Sequence, residues 1–180
     1  MKNILFILLA FLTLNATAQV KTVSLQASGL TCSMCSNAIF KALKSVDFVE
    51  NVDANIKNST FEITFKPNSK VDFDLLKDKV EKAGFFVASF WATVHFDDVN
   101  VKSDAPVVAA GNTMMFLKVK DQKLNGDKKI KIVDKGFVSS KEFKQNSSLT
   151  TKDCYKTGLA DETCIAKGIE KGTRIYHVTI

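Results

Sequence analysis

Between Val20 and Ala27 the side chains alternate, with Val20, Thr22, Ser24 and Gln26 on one side and Lys21, Val23, Leu25 and Ala27 on the other. A period of two is a strand signature, and Val23 and Leu25 mark its buried face. Ser28-Gly29 ends the run. From Ser33 to Lys44 the period lengthens: Ala38, Ile39, Ala42, Leu43 and then Val46 recur at helical spacing, which predicts a helix with one apolar stripe. Alternation returns at Val52, Ala54 and Ile56, pauses at the turn pair Asn58-Ser59 and resumes at Phe61, Ile63 and Phe65. That pattern predicts a hairpin, which Pro67-Asn68 then breaks. Val71 to Ala83 is helical again, with Phe73, Leu76, Val80 and Ala83 on one face. Asp72 near its start and Lys82 near its end suit the helix dipole, and Gly84 is the stop. Phe85 to Phe90 reads as a short strand.

The order over residues 20–91 is therefore strand, helix, strand, strand, helix, strand. This is the split βαβ, ferredoxin-like arrangement, in which an antiparallel sheet buries one face under two helices. Residues 92–112 change character, and His95-Phe96-Asp97-Asp98 and Ser103-Asp104-Ala105-Pro106 read as a linker or an irregular strand. Further on, Met114 to Val119, Ile130 to Val133 and Arg174 to Ile180 read as strands, with Asn125-Gly126 as a hairpin turn between the first two. Gln145 to Asp153 reads as a loop, and 154–168 as a short helix or a wide loop. The fold class expected is α+β: a ferredoxin-like βαββαβ domain over 19–92, a linker over 93–106, and a small β-rich domain over 107–180, with an OB-like barrel as one candidate.

The first eighteen residues stand apart. Lys2 precedes an apolar run from Ile4 to Leu14, and Ala16 and Ala18 form an A-x-A cleavage site. This is the pattern of a secretory signal peptide, and the run falls short of the roughly 20 apolar residues of a membrane span. The expectation is export, most simply to the periplasm, with no membrane-spanning segment left after cleavage at 18. The formal net charge of +6 then falls to +5, because Lys2 is the one charged residue removed. The remaining basic residues are scattered lysines, with Arg174 the single arginine. A nucleic-acid surface wants clustered positive charge, so no nucleic-acid partner is expected.

Four cysteines remain in an exported chain: Cys32, Cys35, Cys154 and Cys164. An even count in an oxidising compartment points first to disulfides, and Cys154 and Cys164, close together in DCYKTGLADETC, read best as one; a second soft-metal site is the rival. Cys32 and Cys35 sit three positions apart in SGLTCSMCSNAIFKAL, at the start of the first helix. Unpaired N–H groups and the dipole at a helix start favour thiolate, which is both the metal-binding and the nucleophilic form. Two thiolates suit a soft ion such as Cu(I) or Hg(II), whereas Zn(II) usually takes four ligands, so Cu(I) leads. A thiol–disulfide redox pair and a local structural disulfide use the same spacing and stay open on these residues alone.

Gly29-Leu30-Thr31-Cys32-Ser33-Met34-Cys35, the helix that follows with Ala38 and Leu43, Val49, and Lys82-Ala83-Gly84-Phe85 together resemble a heavy-metal-associated domain. The resemblance covers residues 20 to about 91. It implies a non-enzymatic carrier holding one soft ion, Cu(I) ahead of Hg(II) or Zn(II), between Cys32 and Cys35. It also implies ligand exchange with a metal-transporting membrane protein or another thiolate metal-binding domain. A thiol–disulfide protein and a periplasmic mercury(II) scavenger are the alternatives. Leu30 stands where the family carries Met, and its similar volume suits the same tether under the loop. Phe85, in the position of Tyr or Lys in soluble chaperones, is expected beside the thiolates. Met34 is expected to be exposed. Met114 and Met115 point to opposite faces of a strand and read as core. His95 and His177 read as surface or hydrogen-bonded histidines rather than ligands, and Trp91 is expected to pack where the two domains meet.

Overall fold

The computed structural model describes residues 19–30, 33–166 and 168–180. The signal-peptide reading of 1–18, and with it the expected export, lies outside them. The elements in chain order are β1 (Gln19–Ser28), α1 (Ser33–Lys44), β2 (Val49–Asn55), β3 (Thr60–Phe65), α2 (Phe73–Lys82), β4 (Phe86–Val101), β5 (Pro106–Ala109), β6 (Asn112–Phe116), β7 (Gln122–Ile132), α3 (Ser140–Asn146), α4 (Cys154–Thr157) and β8 (Ile175–Thr179). The βαββαβ order expected for the first part is present. β1 to β4 lie in the sequence β2-β3-β1-β4 across the sheet, all antiparallel, with Val23 opposite Ile63 on one side and Ala92 on the other.

Each helix forms for local reasons. α2 is capped by Asp72, whose carboxylate accepts from Leu75 N at 3.0 Å. It buries Phe73, Leu76 and Val80, the face that the period predicted. α1 buries Ser36, Ile39 and Leu43, while Ala38, expected on the apolar stripe, faces solvent. The stripe is rotated by one position because Phe40, half-buried, also packs against the core.

The second part differs from expectation. No barrel closes: β5 to β8 extend the first sheet, giving one open eight-stranded sheet in the order β2-β3-β1-β4-β7-β8-β6-β5. The physical reason lies in β4. Residues 93–101, read above as linker, continue that strand; its first half pairs with β1 and its second half with β7, from Trp91 opposite Lys131 to Val101 opposite Gln122. The edge that β4 would otherwise present is thereby filled, and an unpaired edge is what a sheet needs to cover. Asn125-Gly126 makes no hairpin either. It lies inside β7, opposite the register shift between Phe96 and Val99. Asp97 and Asp98 form the bulge there, with Asn125 Nδ2 donating to Asp98 Oδ1 at 2.8 Å. Gly126, at φ +73°, supplies the positive φ that the turn signal advertised, within a bulged ladder instead of a loop.

One core runs beneath the whole sheet. Val23, Leu25, Ile63, Phe90 and Ala92 continue into Ile130, Ile132, Val178, Phe116 and Met114. An aromatic cluster joins the two parts: Phe73 of α2 lies 5.6 Å from Phe90 and 5.1 Å from Tyr176, and Phe137 lies 5.2 Å from Phe90. Trp91 sits on the opposite face at the junction of β4 and β7, half-buried, with Lys129 and Lys131 Nζ 5.3 and 5.7 Å from its ring. A second apolar cluster, including Met115, Leu117, Val133, Tyr155 and Ile175, covers that opposite face under β6 and β8 only. Met114 and Met115 thus separate as expected, each fully buried in a different cluster.

Candidate functional site

The loop between β1 and α1 carries the candidate chemistry. β1 delivers it through Ser28, which pairs with Phe86, and Ser28 Oγ donates to Phe86 O at 3.4 Å. Leu30 is partly buried and packs on the main core, the position of an apolar tether. Thr31 and Cys32 lie outside the described residues. Cys35 occupies the first turn of α1 and is half-buried. No acidic residue shares that turn, and the basic residues of α1, Lys41 and Lys44, gather at its far end. The helix dipole at this end therefore favours an anion, with no carboxylate on the first turn to oppose it.

Two large apolar side chains flank the loop. Met34 is 80% exposed and Phe86 69% exposed. Phe85 packs partly into the core, and its ring edge lies 4.0 Å from where a Cβ on Gly29 would stand. That places the Phe85 ring beside Gly29, just past the end of β1.

A second group of chemistry-bearing residues lies far along the chain, under β8. Cys154 and Cys164 are joined, S–S 2.07 Å, and both are buried. His177 is completely buried. Its Nδ1 stands 2.7 Å from Asp134 Oδ1 and its Nε2 3.5 Å from Cys154 Sγ. Arg174 Nη1 donates to Asp134 Oδ2 at 3.0 Å, while its Nε and Nη2 grip Asp74 of α2 at 2.7 and 3.1 Å. Desolvation works against the Arg174 cation, but Asp74 and Asp134 outweigh it and hold its pKa above the ordinary value. Burial, with the charges of Asp134 and Glu142, pushes the Tyr155 hydroxyl up. Gly158, at φ +72°, closes α4 beneath Arg174; a Cβ there would stand 2.6 Å from Nη1.

Sequence reasoning placed His177 among unremarkable histidines and passed over Asp134. The signal available was the strand period: His177 shares a face with Ile175 in β8, which is the face of the second apolar cluster. His95 fits its reading, half-exposed and 2.6 Å from Asp127 Oδ1.

The heavy-metal-associated domain model matches residues 24–86. Copper-exporting P-type ATPases of Staphylococcus aureus, strain Newman among them, are 33% identical over 66 residues, which is 37% of this chain and 8% of the ATPase. The chain thus spans less than a tenth of the length of those relatives. Among solved structures, the CopZ metallochaperone is 30% identical, with 37% of this chain and 98% of that one covered and a TM-score of 0.35. Oxidised MerP from Ralstonia metallidurans CH34 is 29% identical, with 38% and 94% covered and a TM-score of 0.35.

Proposed function

Residues 24–86 belong to the heavy-metal-associated domain family, and on that premise we propose that the chain is an exported, non-enzymatic carrier of one soft metal ion. The ion is Cu(I) in the first place, held between the thiolates of Cys32 and Cys35. The observation that carries this reading is the position of Cys35, in the first turn of α1 within the matched segment. There the helix end favours the thiolate, and the residue is only half-buried.

Release proceeds by ligand exchange. A partner's thiolate attacks the bound ion, one of the two cysteines lets go, and the second follows. Neither sulfur changes oxidation state, and each vacated thiolate is free to take up a proton. The exposed Met34 and Phe86 support a loop that meets an apolar partner surface. A metal-transporting membrane protein or a second thiolate domain fits that role, in keeping with the copper ATPase and CopZ relatives.

The test is a Cu(I) titration of the 19–180 chain against a chromophoric chelator. The protein is first reduced mildly, until two thiols per chain react. One equivalent should be withdrawn from the chelator, and C32S/C35S should withdraw none. A parallel Hg(II) titration ranks the two ions. If the parent fails to compete for either, the carrier reading falls and the pair belongs to thiol–disulfide chemistry.

A further inference from the structure

The buried cysteine pair carries more polar apparatus than a staple needs. A disulfide can be seated in a purely apolar cluster, and Met115, Leu117, Val133, Val138 and Ile175 supply one here. Yet a histidine, a carboxylate and a guanidinium are brought to it. Burying such groups costs free energy unless they find partners, and Asp134, Arg174 and Nδ1 of His177 do. Asp134 accepts from His177 Nδ1 through one oxygen, and from Arg174 Nη1 and His177 N, at 3.0 and 3.2 Å, through the other. The result is an imidazole whose Nδ1 is committed and whose Nε2 faces sulfur. A carboxylate on one ring nitrogen is how proteins orient a metal-ligating histidine. Tyr155, edge-on to the ring at 5.1 Å and donating to Val133 O at 2.9 Å, holds it from the side.

We propose that Cys154, Cys164 and His177 Nε2 form a redox-gated Zn(II) site, shut while the disulfide is intact and opened by a dithiol. It does not draw on the Cys32–Cys35 reading. In the disulfide form both sulfurs are spent on each other, and no group of three His, Cys, Asp or Glu among the described residues is arranged to hold a metal ion. Reduction breaks the S–S bond. The dithiol gives up two electrons and two protons, becoming a disulfide itself, and Cys154 and Cys164 become thiols. Zn(II) then displaces both thiol protons to solvent and takes two thiolates and the neutral imidazole, with water as the fourth ligand. Charge selects the ion. Two thiolates cancel a divalent cation, whereas Cu(I) would leave a net negative charge in a fully buried site beside Asp134.

The experiment uses C32S/C35S in the 19–180 chain, so that the buried pair supplies the only thiols. After phosphine reduction and desalting without oxygen, one equivalent of Co(II) should give thiolate-to-cobalt charge-transfer absorption, which Zn(II) then bleaches. The unreduced protein should show neither. Added D134N should weaken Zn(II) binding by about 10- to 100-fold, and H177Q by at least as much, with far-UV circular dichroism reporting the fold of each. Should H177Q fail to fold, D134N decides the histidine's part. The proposal is overturned if the reduced protein binds no Co(II), if the unreduced protein binds it equally, or if the folded variants bind as tightly as their parent.

Discussion

The two ends of the sheet solve different problems. At the β1–β3 end one face is buried under α1 and α2, and the other shows Thr22, Ser24, Glu62 and Thr64 to solvent or half to solvent. At the β6–β8 end both faces are covered: all five residues of β6 are buried, and so are the first four of β8. The first end needs only two helices. The second needs a further layer, and Val138, Tyr155, Ala160 and Ile169 of the chain between β7 and β8 provide it, tied by one disulfide and by Arg174. A sheet closed on both sides can hold a buried polar cluster in fixed geometry.

The strongest way to break this comparison is to attack what the ends share. Phe90→Ala removes a fully buried ring that packs on Phe73 and Phe137, and should cost about 3–5 kcal/mol. Because the core is common, Trp91 fluorescence and far-UV circular dichroism should shift to lower urea together. Separate transitions would mean that the ends unfold independently. Arg174→Met strips Asp134 and Asp74 of their cation and should cost about 3 kcal/mol, the low end for a buried pair, since Arg174 keeps some exposure. Amide exchange should quicken around 134 and 177 before it does at Val23 and Leu25.

Cys154→Ala with Cys164→Ala acts on the closed end alone. Releasing a loop of separation 10 should lower stability by about 2–3 kcal/mol in urea unfolding, with protection at the β1–β3 end retained. Asp72→Ala is the smallest change. It removes the cap from α2 and should cost about 1 kcal/mol, an effect a thermal melt resolves as a modest fall in midpoint.

Legibility followed the same division. Strands with one wet face announce themselves, and β1, β3 and the helix face of α2 were read from period alone. β6, Asn112–Phe116, carries no alternation because both faces are dry, so its neighbours were not readable from it. Asn125-Gly126 has the chemistry of a hairpin, and the positive φ it supplies was used for a bulge. The Cys32–Cys35 loop was legible as a motif, because its residues are three apart in sequence. His177 and Asp134 lie 43 residues apart, and no local pattern joins them.

The amino-acid sequence by itself determined the βαββαβ order, the helix that presents Cys35 and the proximity of Cys154 to Cys164, since each rests on interactions within a few residues or on a repeating period. Tertiary structure alone decided that β7 would pair with the outer edge of β4, that the sheet would stay open, and that an imidazole would stand over a disulfide. Those outcomes depend on which distant surfaces meet. An edge strand accepts many partners, and only the sum of burial on both faces selects one.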